Sequence, residues 1–368
     1  MGRLLRYIPA RLDHVRTLGA AGLVVGSLSL PGRREREHAV LASEVIDIRQ
    51  FTARDFEPLL EAESRIWRET LRWDYTTSRR LISSWLDEKR LSGYAFLRDG
   101  QITGYSFFFY EAEKALIADL FVMPEEEQVG PARVLLEHVI ETLLATPGLR
   151  RVETQLPHFT FEELEPCFRA HGFDGFLRRF MALSLATRRP DSAVPGQEAG
   201  HPTSQAVSVP GDFCVEPWER KHDPPAAALL YSTYGQHLDS RINDQYTSLA
   251  GATRLIESIV HQRGCGQLLP QGSLVALHRP TRKLAAALAI TAVRPQTAHI
   301  PQVAVAREFQ RVGLGTALME TSFRELARLG HEEVSLAVTD LNAGAVRLYQ
   351  RLGFETFRTF GAFAWEGR

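Results

Sequence analysis

Ala298-His299-Ile300-Pro301-Gln302-Val303-Ala304-Val305, then Gln310-Arg311-Val312-Gly313-Leu314-Gly315-Thr316-Ala317, is the segment around which the chain can be ordered. The first run is apolar and rich in β-branched residues, which predicts a strand. The second holds two spaced glycines. Leu318, Met319, Phe323, Leu326 and Leu329 follow at helical spacing. Strand, glycine loop and helix in that order place consecutive backbone N–H groups at one point, with the positive end of the helix behind them. Such a corner suits a di- or triphosphate. A dinucleotide fingerprint would need Gly or Ala where Leu318 stands. A P-loop would need a lysine that this loop lacks.

What fits is Gln310-x-x-Gly313-x-Gly315, followed downstream by Asn342, Ala345, Leu348-Tyr349 and Gly353-Phe354. Together these resemble the two signatures of the GNAT superfamily of N-acetyltransferases. The resemblance covers Phe213 to Trp365, with a decayed copy before it.

A chain of 368 residues suits two domains of about 150 residues each. A hydrophobic fraction of 44% with 24% charged residues is a globular composition. A formal charge of −1 gives no pull toward nucleic acid or an anionic membrane. Cys167, Cys214 and Cys265 have no metal spacing and an odd count, which favours reduced thiols in a cytoplasm. The first forty residues hold seven arginines around Leu18 to Leu30. That run is broken by glycines and too short to span a bilayer. Residues 1–44 are therefore expected to be a flexible arm.

From residue 45 the pattern alternates in an orderly way. Strands are expected at Val45–Phe51, Tyr94–Leu97, Ile102–Phe109 (turning at Asp99-Gly100), Leu116–Val122 and Val152–Leu156. Helices are expected around Phe56–Ile66, Leu81–Leu86 and Val134–Leu144. Setting Gly130 against Gly313, an offset of 183 residues, also aligns Val122 with Val305, Val129 with Val312 and Ala132 with Gly315. Gly172-Phe173 aligns with Gly353-Phe354 at an offset of 181. This is an internal repeat. The first copy carries Glu125, Glu126 and Glu127 in the loop, with Glu127 aligned on Gln310. It also has Pro131 for Leu314, Phe161 for Asn342 and Phe168 for Tyr349. Carboxylates repel a phosphate, and proline removes a donor. The expectation is an α/β (α+β) chain of two tandem GNAT-like domains, each a mixed, mostly antiparallel splayed sheet flanked by helices. Residues 45–186 form the degenerate copy, 187–211 a Pro- and Ser-rich linker, and 212–368 the catalytic copy. In the latter, strands are expected at Phe213–Pro217, Gln267–Leu277, Leu284–Val293, Ala298–Val305, Val334–Val338 and Phe360–Trp365.

The resemblance implies acetyl-CoA as co-substrate, no metal, and an unidentified primary amine as acceptor. No nucleic acid or membrane partner is implied, and the protein would be a monomer or homodimer. The N–H groups of Arg311, Val312, Gly313, Leu314, Gly315 and Thr316 would hold the pyrophosphate, with Gln310 opening the motif. The edge of Val303, Ala304 and Val305 would pair with the pantetheine arm. Asn342 would cap the next helix and touch the same arm. Tyr349 would be the general acid, since a phenol stays protonated at neutral pH and can protonate a thiolate. The strand before the loop lacks the carboxylate many relatives use as base; His299 is the candidate there, with Gln302 its other polar side chain. Asp340 reads as a turn residue. Tyr231, Tyr234, His237, Asp239, Arg241, Asn243, Gln245 and Tyr246 would line the acceptor pocket. Cys265 is a weaker nucleophile candidate. An acyl-CoA-binding regulatory module without turnover is the alternative from another class.

Overall fold

The structure, a computed structural model, describes residues 43–124, 127–186, 209–262 and 265–367. Most of the N-terminal arm and linker, and Glu125 and Glu126, lie outside the described residues.

The first half runs β1 (Ser43–Asp47), α1 (Ala53–Glu69), α2 (Thr76–Asp87), β2 (Ser92–Arg98), β3 (Gln101–Glu111), β4 (Lys114–Val122), α3 (Val129–Leu144), β5 (Arg151–Leu156), α4 (Phe161–Ala170) and β6 (Asp174–Ser184). The second half runs β7 (Phe213–Pro217), α5 (Asp223–Tyr234), α6 (Leu238–Ile242), α7 (Leu249–Val260), β8 (Gln267–Leu268), β9 (Leu274–His278), β10 (Leu284–Arg294), β11 (Thr297–Val305), α8 (Leu314–Arg328), β12 (Glu333–Thr339), α9 (Ala343–Arg351) and β13 (Glu355–Glu366). Local chemistry sets many of these limits. At the start of α1 the Asp55 carboxylate accepts the Thr52 amide at 2.7 Å, closing the first turn. Asp99 and Gly100 both take positive φ, +51° and +76°, as a two-residue hairpin turn requires. The expected strand Gln267–Leu277 is two strands, because Leu269 to Gly272 turns between β8 and β9.

Two sheets, one per copy, were expected; the described residues form one. Its order is β1-β2-β3-β4-β5-β13-β6-β12-β11-β10-β9-β7, with β8 paired to β10. β13, from the second half, lies between β5 and β6 of the first, and β6 pairs with β12 of the second. Each half thus ends by giving its last strand to the other. The reason is one of edges: antiparallel pairing of the exchanged strands leaves neither inner edge open.

Cores follow the exchange. One face of the sheet carries α1, α2, α5 and α7 over a cluster that runs through both halves and includes Phe180 and Phe360. On the other face α8 and α9 cover Met181, Leu183 and Leu185 of the first half. There too, α3 and α4 cover Phe363 of the second half, whose ring stacks on Phe168 at 4.1 Å. In β10, Ala287 and Ala289 go to the first face and Ala286, Leu288 and Ile290 to the second. That is the period of two of a strand buried on both sides. No helix among the described residues is long and apolar enough to cross a membrane.

Candidate active site

The site begins where two parallel strands part. β11 and β12 are paired from Thr297↔Glu333 to Ile300↔Leu336 and no further, although β11 runs on to Val305 and β12 to Thr339. Pro301, which has no N–H to give, stands at the parting. Ala306 donates back to Ala285 of the neighbouring β10 region. With successive residues facing opposite ways, Val303 and Val305 then face the gap while Ala304 faces β10, opposite Ala287. Ala304 was expected to share in the open edge; its backbone belongs to the β10 pairing instead. Side chains reach into the gap. The Tyr234 hydroxyl donates to the Val303 carbonyl at 2.7 Å, and Gln310 Nε2 donates to the Val305 carbonyl at 3.0 Å. The Val305 carbonyl keeps a second lone pair for a ligand amide, whereas the Val303 carbonyl also accepts from Gln302 Nε2 at 3.4 Å.

Beyond the gap the chain turns at Arg311 and Gly313, with φ of +65° and +86°. Gly313 is the residue before α8, and no side chain caps the first turn there. A Cβ on Gly313 would meet nothing within 4 Å, so φ is what calls for glycine; on Gly315 it would lie 3.3 Å from Val305 Cγ2. The first N–H groups of α8 therefore face outward at the mouth of the gap. On its other side the Asn342 side chain caps α9, accepting from the Ala345 amide at 3.2 Å.

Tyr349 of α9 is buried, and burial first, then the nearby Asp239 carboxylate, push its phenol well above the ordinary range. It therefore keeps its proton throughout the neutral range. Tyr349, Asn342 and Ala345 share a cavity of about 150 Å³ with His299, Gln302 and Val303. Of the residues read as an acceptor pocket, Tyr234, Asp239, Asn243 and Tyr246 line it. The rings of Tyr234 and Tyr246 stack at 4.8 Å, and the Tyr246 hydroxyl donates to Gln302 Oε1 at 2.8 Å. Tyr231 instead faces solvent, Gln245 is buried away from the cavity, and Arg241 bonds Asp174 of the first half at 2.8 Å. Asp340 is held by Arg179 and is a turn residue. Cys265 lines the cavity and is buried.

His299 is held from two sides. Its Nδ1 lies 3.0 Å from Ser335 Oγ, whose own proton points to the Ala298 carbonyl at 3.3 Å. That arrangement puts the ring proton on Nδ1 and leaves Nε2 the acceptor. The Trp73 ring packs edge-on against it at 5.0 Å.

Sequence reasoning missed a whole wall. Trp67, Trp73, Gln155, Pro157, Arg178 and Phe180 come from the first half, and Phe360 from the exchanged β13. None lies near the glycine loop in sequence; the repeat, followed to its last strand, was the signal that could have placed β6 here.

The first half repeats the architecture and fills it. β4 and β5 part after Ile117↔Thr154. Gln128 Nε2 donates to the Val122 carbonyl at 2.9 Å, so Gln128 plays the part of Gln310, which the alignment had given to Glu127. A one-residue slip in the loop accounts for the difference. Glu127 acts otherwise: its carboxylate accepts the Gly130 amide at 3.0 Å, at the start of α3. The protein's own anion thus sits where a phosphate would. Asp119, aligned on Gln302, joins Glu63 and His158 in a buried cluster. Glu63 accepts from Trp67 Nε1 at 3.1 Å, from Tyr105 and from His158 Nε2 at 2.9 Å, and Asp119 accepts from Tyr75 at 2.8 Å. Burial raises both carboxyls to about 7 and lowers His158 to about 4, so the imidazole is neutral.

Residues 244–354 match the acetyltransferase (GNAT) family model, so this part of the chain is a GNAT domain. It is 44% identical over 69 residues to the [ribosomal protein bS18]-alanine N-acetyltransferase of Escherichia coli K12, covering 19% of this chain and 47% of that one. It is 33% identical over 70 residues to an N-alpha-acetyltransferase of Sulfurisphaera tokodaii, covering 19% and 42%. The chain thus spans less than half the length of these curated relatives. Over the whole molecule the fold is similar to a GCN5-related N-acetyltransferase from Sphaerobacter thermophilus, with TM-score 0.60, 16% identity, and coverage of 88% of this chain and 95% of that one. It is also similar to a tandem GNAT protein from the clavulanic acid biosynthesis pathway, with TM-score 0.53, 17% identity, and coverage of 89% and 99%. These two likenesses show the fold.

Proposed function

We propose that the protein is an N-acetyltransferase that moves the acetyl group of acetyl-CoA to a primary amine by direct attack, using the second half. The observation that carries this reading is the coincidence of three parts at one gap: the open β11 edge, the uncapped start of α8, and a buried, protonated Tyr349 facing the same cavity. The α8 amides hold the pyrophosphate, Val303 and Val305 pair with the pantetheine arm, and Asn342 borders it. The amine nitrogen attacks the thioester carbonyl, the C–S bond breaks, and Tyr349 hands its proton to the departing thiolate. His299 stands on the same wall, with Nε2 able to accept a proton.

The first half is a structural partner, its phosphate corner closed by Glu127 and its gap by Glu63, Asp119 and His158. The test is thiol release from acetyl-CoA with a panel of primary amines. Turnover is expected, and Tyr349→Phe should lower kcat by about 10- to 1,000-fold with KM for acetyl-CoA nearly unchanged. Donor binding without turnover by any amine would favour a regulatory module instead.

A further inference from the structure

The strand exchange brings two charged groups together on the cavity wall. Arg178 lies on β6, opposite Thr339 of β12 on one side and Phe360 of β13 on the other. The Thr339 hydroxyl donates to Asp239 Oδ1 at 2.5 Å. Asp239, on α6, and Arg178 both line the cavity that holds Tyr349. A primary amine is mostly an ammonium ion at neutral pH and attacks only after losing a proton.

We infer that Asp239 receives the ammonium group of the acceptor and takes its proton, and that Arg178, delivered by the first half, is the positioning residue that keeps Asp239 anionic. The inference rests on the acetyltransferase reading and assigns a role to the first half within it.

The surroundings of Asp239 are consistent with that charge. Desolvation alone would raise its carboxyl. The hydrogen bond from His237, the Arg178 charge and the Thr339 hydroxyl outweigh it and hold the group below the ordinary carboxylate range. His237 Nδ1 lies 3.2 Å from the Asp239 amide and 3.4 Å from Oδ2. With its proton on Nε2 it accepts the amide; with a proton on Nδ1 it donates to the carboxylate. The other titratable groups on this cavity wall are Tyr349 on α9 and Tyr234 on α5, both phenols pushed upward by burial and therefore neutral, together with Tyr246, His299 and Cys265. Asp239 and Arg178 together leave the wall without net charge, and the Asp239 carboxylate, set among neutral phenols, is the group that meets a primary ammonium.

The step balances. Asp239 takes one proton from the ammonium and later releases it to solvent. The neutral amine forms the C–N bond as the C–S bond breaks. Tyr349 gives its proton to the thiolate and regains one from the nitrogen of the new amide. Nothing else is consumed.

The experiment is the ratio of variant to wild-type kcat/KM across pH 5 to 8 with one primary amine, in which the ionisation of that amine cancels. Asp239→Asn, which keeps the shape and the Thr339 contact, should lose at least 100-fold. Arg178→Met should lose progressively more as pH falls, by at least fivefold across the range, because its Asp239 protonates higher. Arg178→Lys should follow the wild type. A flat ratio for Arg178→Met, or Asp239→Asn within threefold of wild type, overturns the inference. Because Asp239→Asn decides alone, the inference stays falsifiable should Arg178→Met fail to fold. Absence of wild-type turnover with every amine would instead overturn the acetyltransferase reading beneath it.

Discussion

At the scale of single residues, the clearest contrast is between two carboxylates and one phenol. Glu63 and Asp119 are buried among donors, and burial pushes each up to about 7. Between the ordinary carboxylate range and that value the folded protein binds more protons than the unfolded chain. Stability from this pair is therefore present at low pH and lost as pH rises from about 4 to about 7, by roughly 3 kcal/mol for one shared proton. Asp119→Asn should flatten that part of the profile. Urea midpoints at pH 5 and pH 8 measure it, and an unchanged difference between wild type and variant would refute the assignment. Tyr349 shows the opposite use of burial. Its raised phenol costs nothing at neutral pH, because the neutral form is the one buried, and the same desolvation keeps its proton ready.

At the scale of elements, α3 and α8 begin alike and differ in what meets their first amides. Glu127 closes the start of α3, whereas no side chain caps α8 at Gly313. Glu127 stands three residues before Gly130, as Gln310 stands three before Gly313. Gln310 itself donates to the Val305 carbonyl, so Gln310→Glu should lose that bond and add a negative charge where a pyrophosphate would rest, raising KM for acetyl-CoA by at least tenfold. Glu127→Gln should remove the closure in the first half without affecting turnover. Calorimetric titration with CoA checks both, and unaltered donor affinity in Gln310→Glu would remove the loop from the binding site. These elements were also the most legible in the sequence. Two glycines and a helical apolar period are local signals, and so was the turn at Asp99-Gly100. Ala304 was misjudged because which way a strand residue faces depends on the partner strand, and the partner is not written beside it.

At the scale of the whole molecule, the exchange of β6 and β13 makes the halves mutually dependent. Met181, Leu183 and Leu185 are buried in the core of the second half, and Phe363 in that of the first. Exposing such side chains costs roughly 1.5–3 kcal/mol each. Residues 43–186 and 209–367 produced separately should lack a cooperative unfolding transition and gain one when mixed, as followed by circular dichroism. A cooperative transition in either piece alone would contradict the exchange. The same crossing carries Arg178 and Phe180 into the cavity, which is why that wall was invisible from the motif region alone.

The sequence by itself determined the repeat, the glycine loop, the helix that follows it and Tyr349 on the next one, because backbone conformation, capping and periodicity act within a few residues. Only the tertiary structure decided that the two copies share one sheet, that Glu127 turns back on its own loop, and that Trp67, Trp73 and Arg178 wall the site of the other half. Strand order and cavity lining arise from pairings across more than a hundred residues, and local chemistry sets no preference among them until the chain has closed on itself.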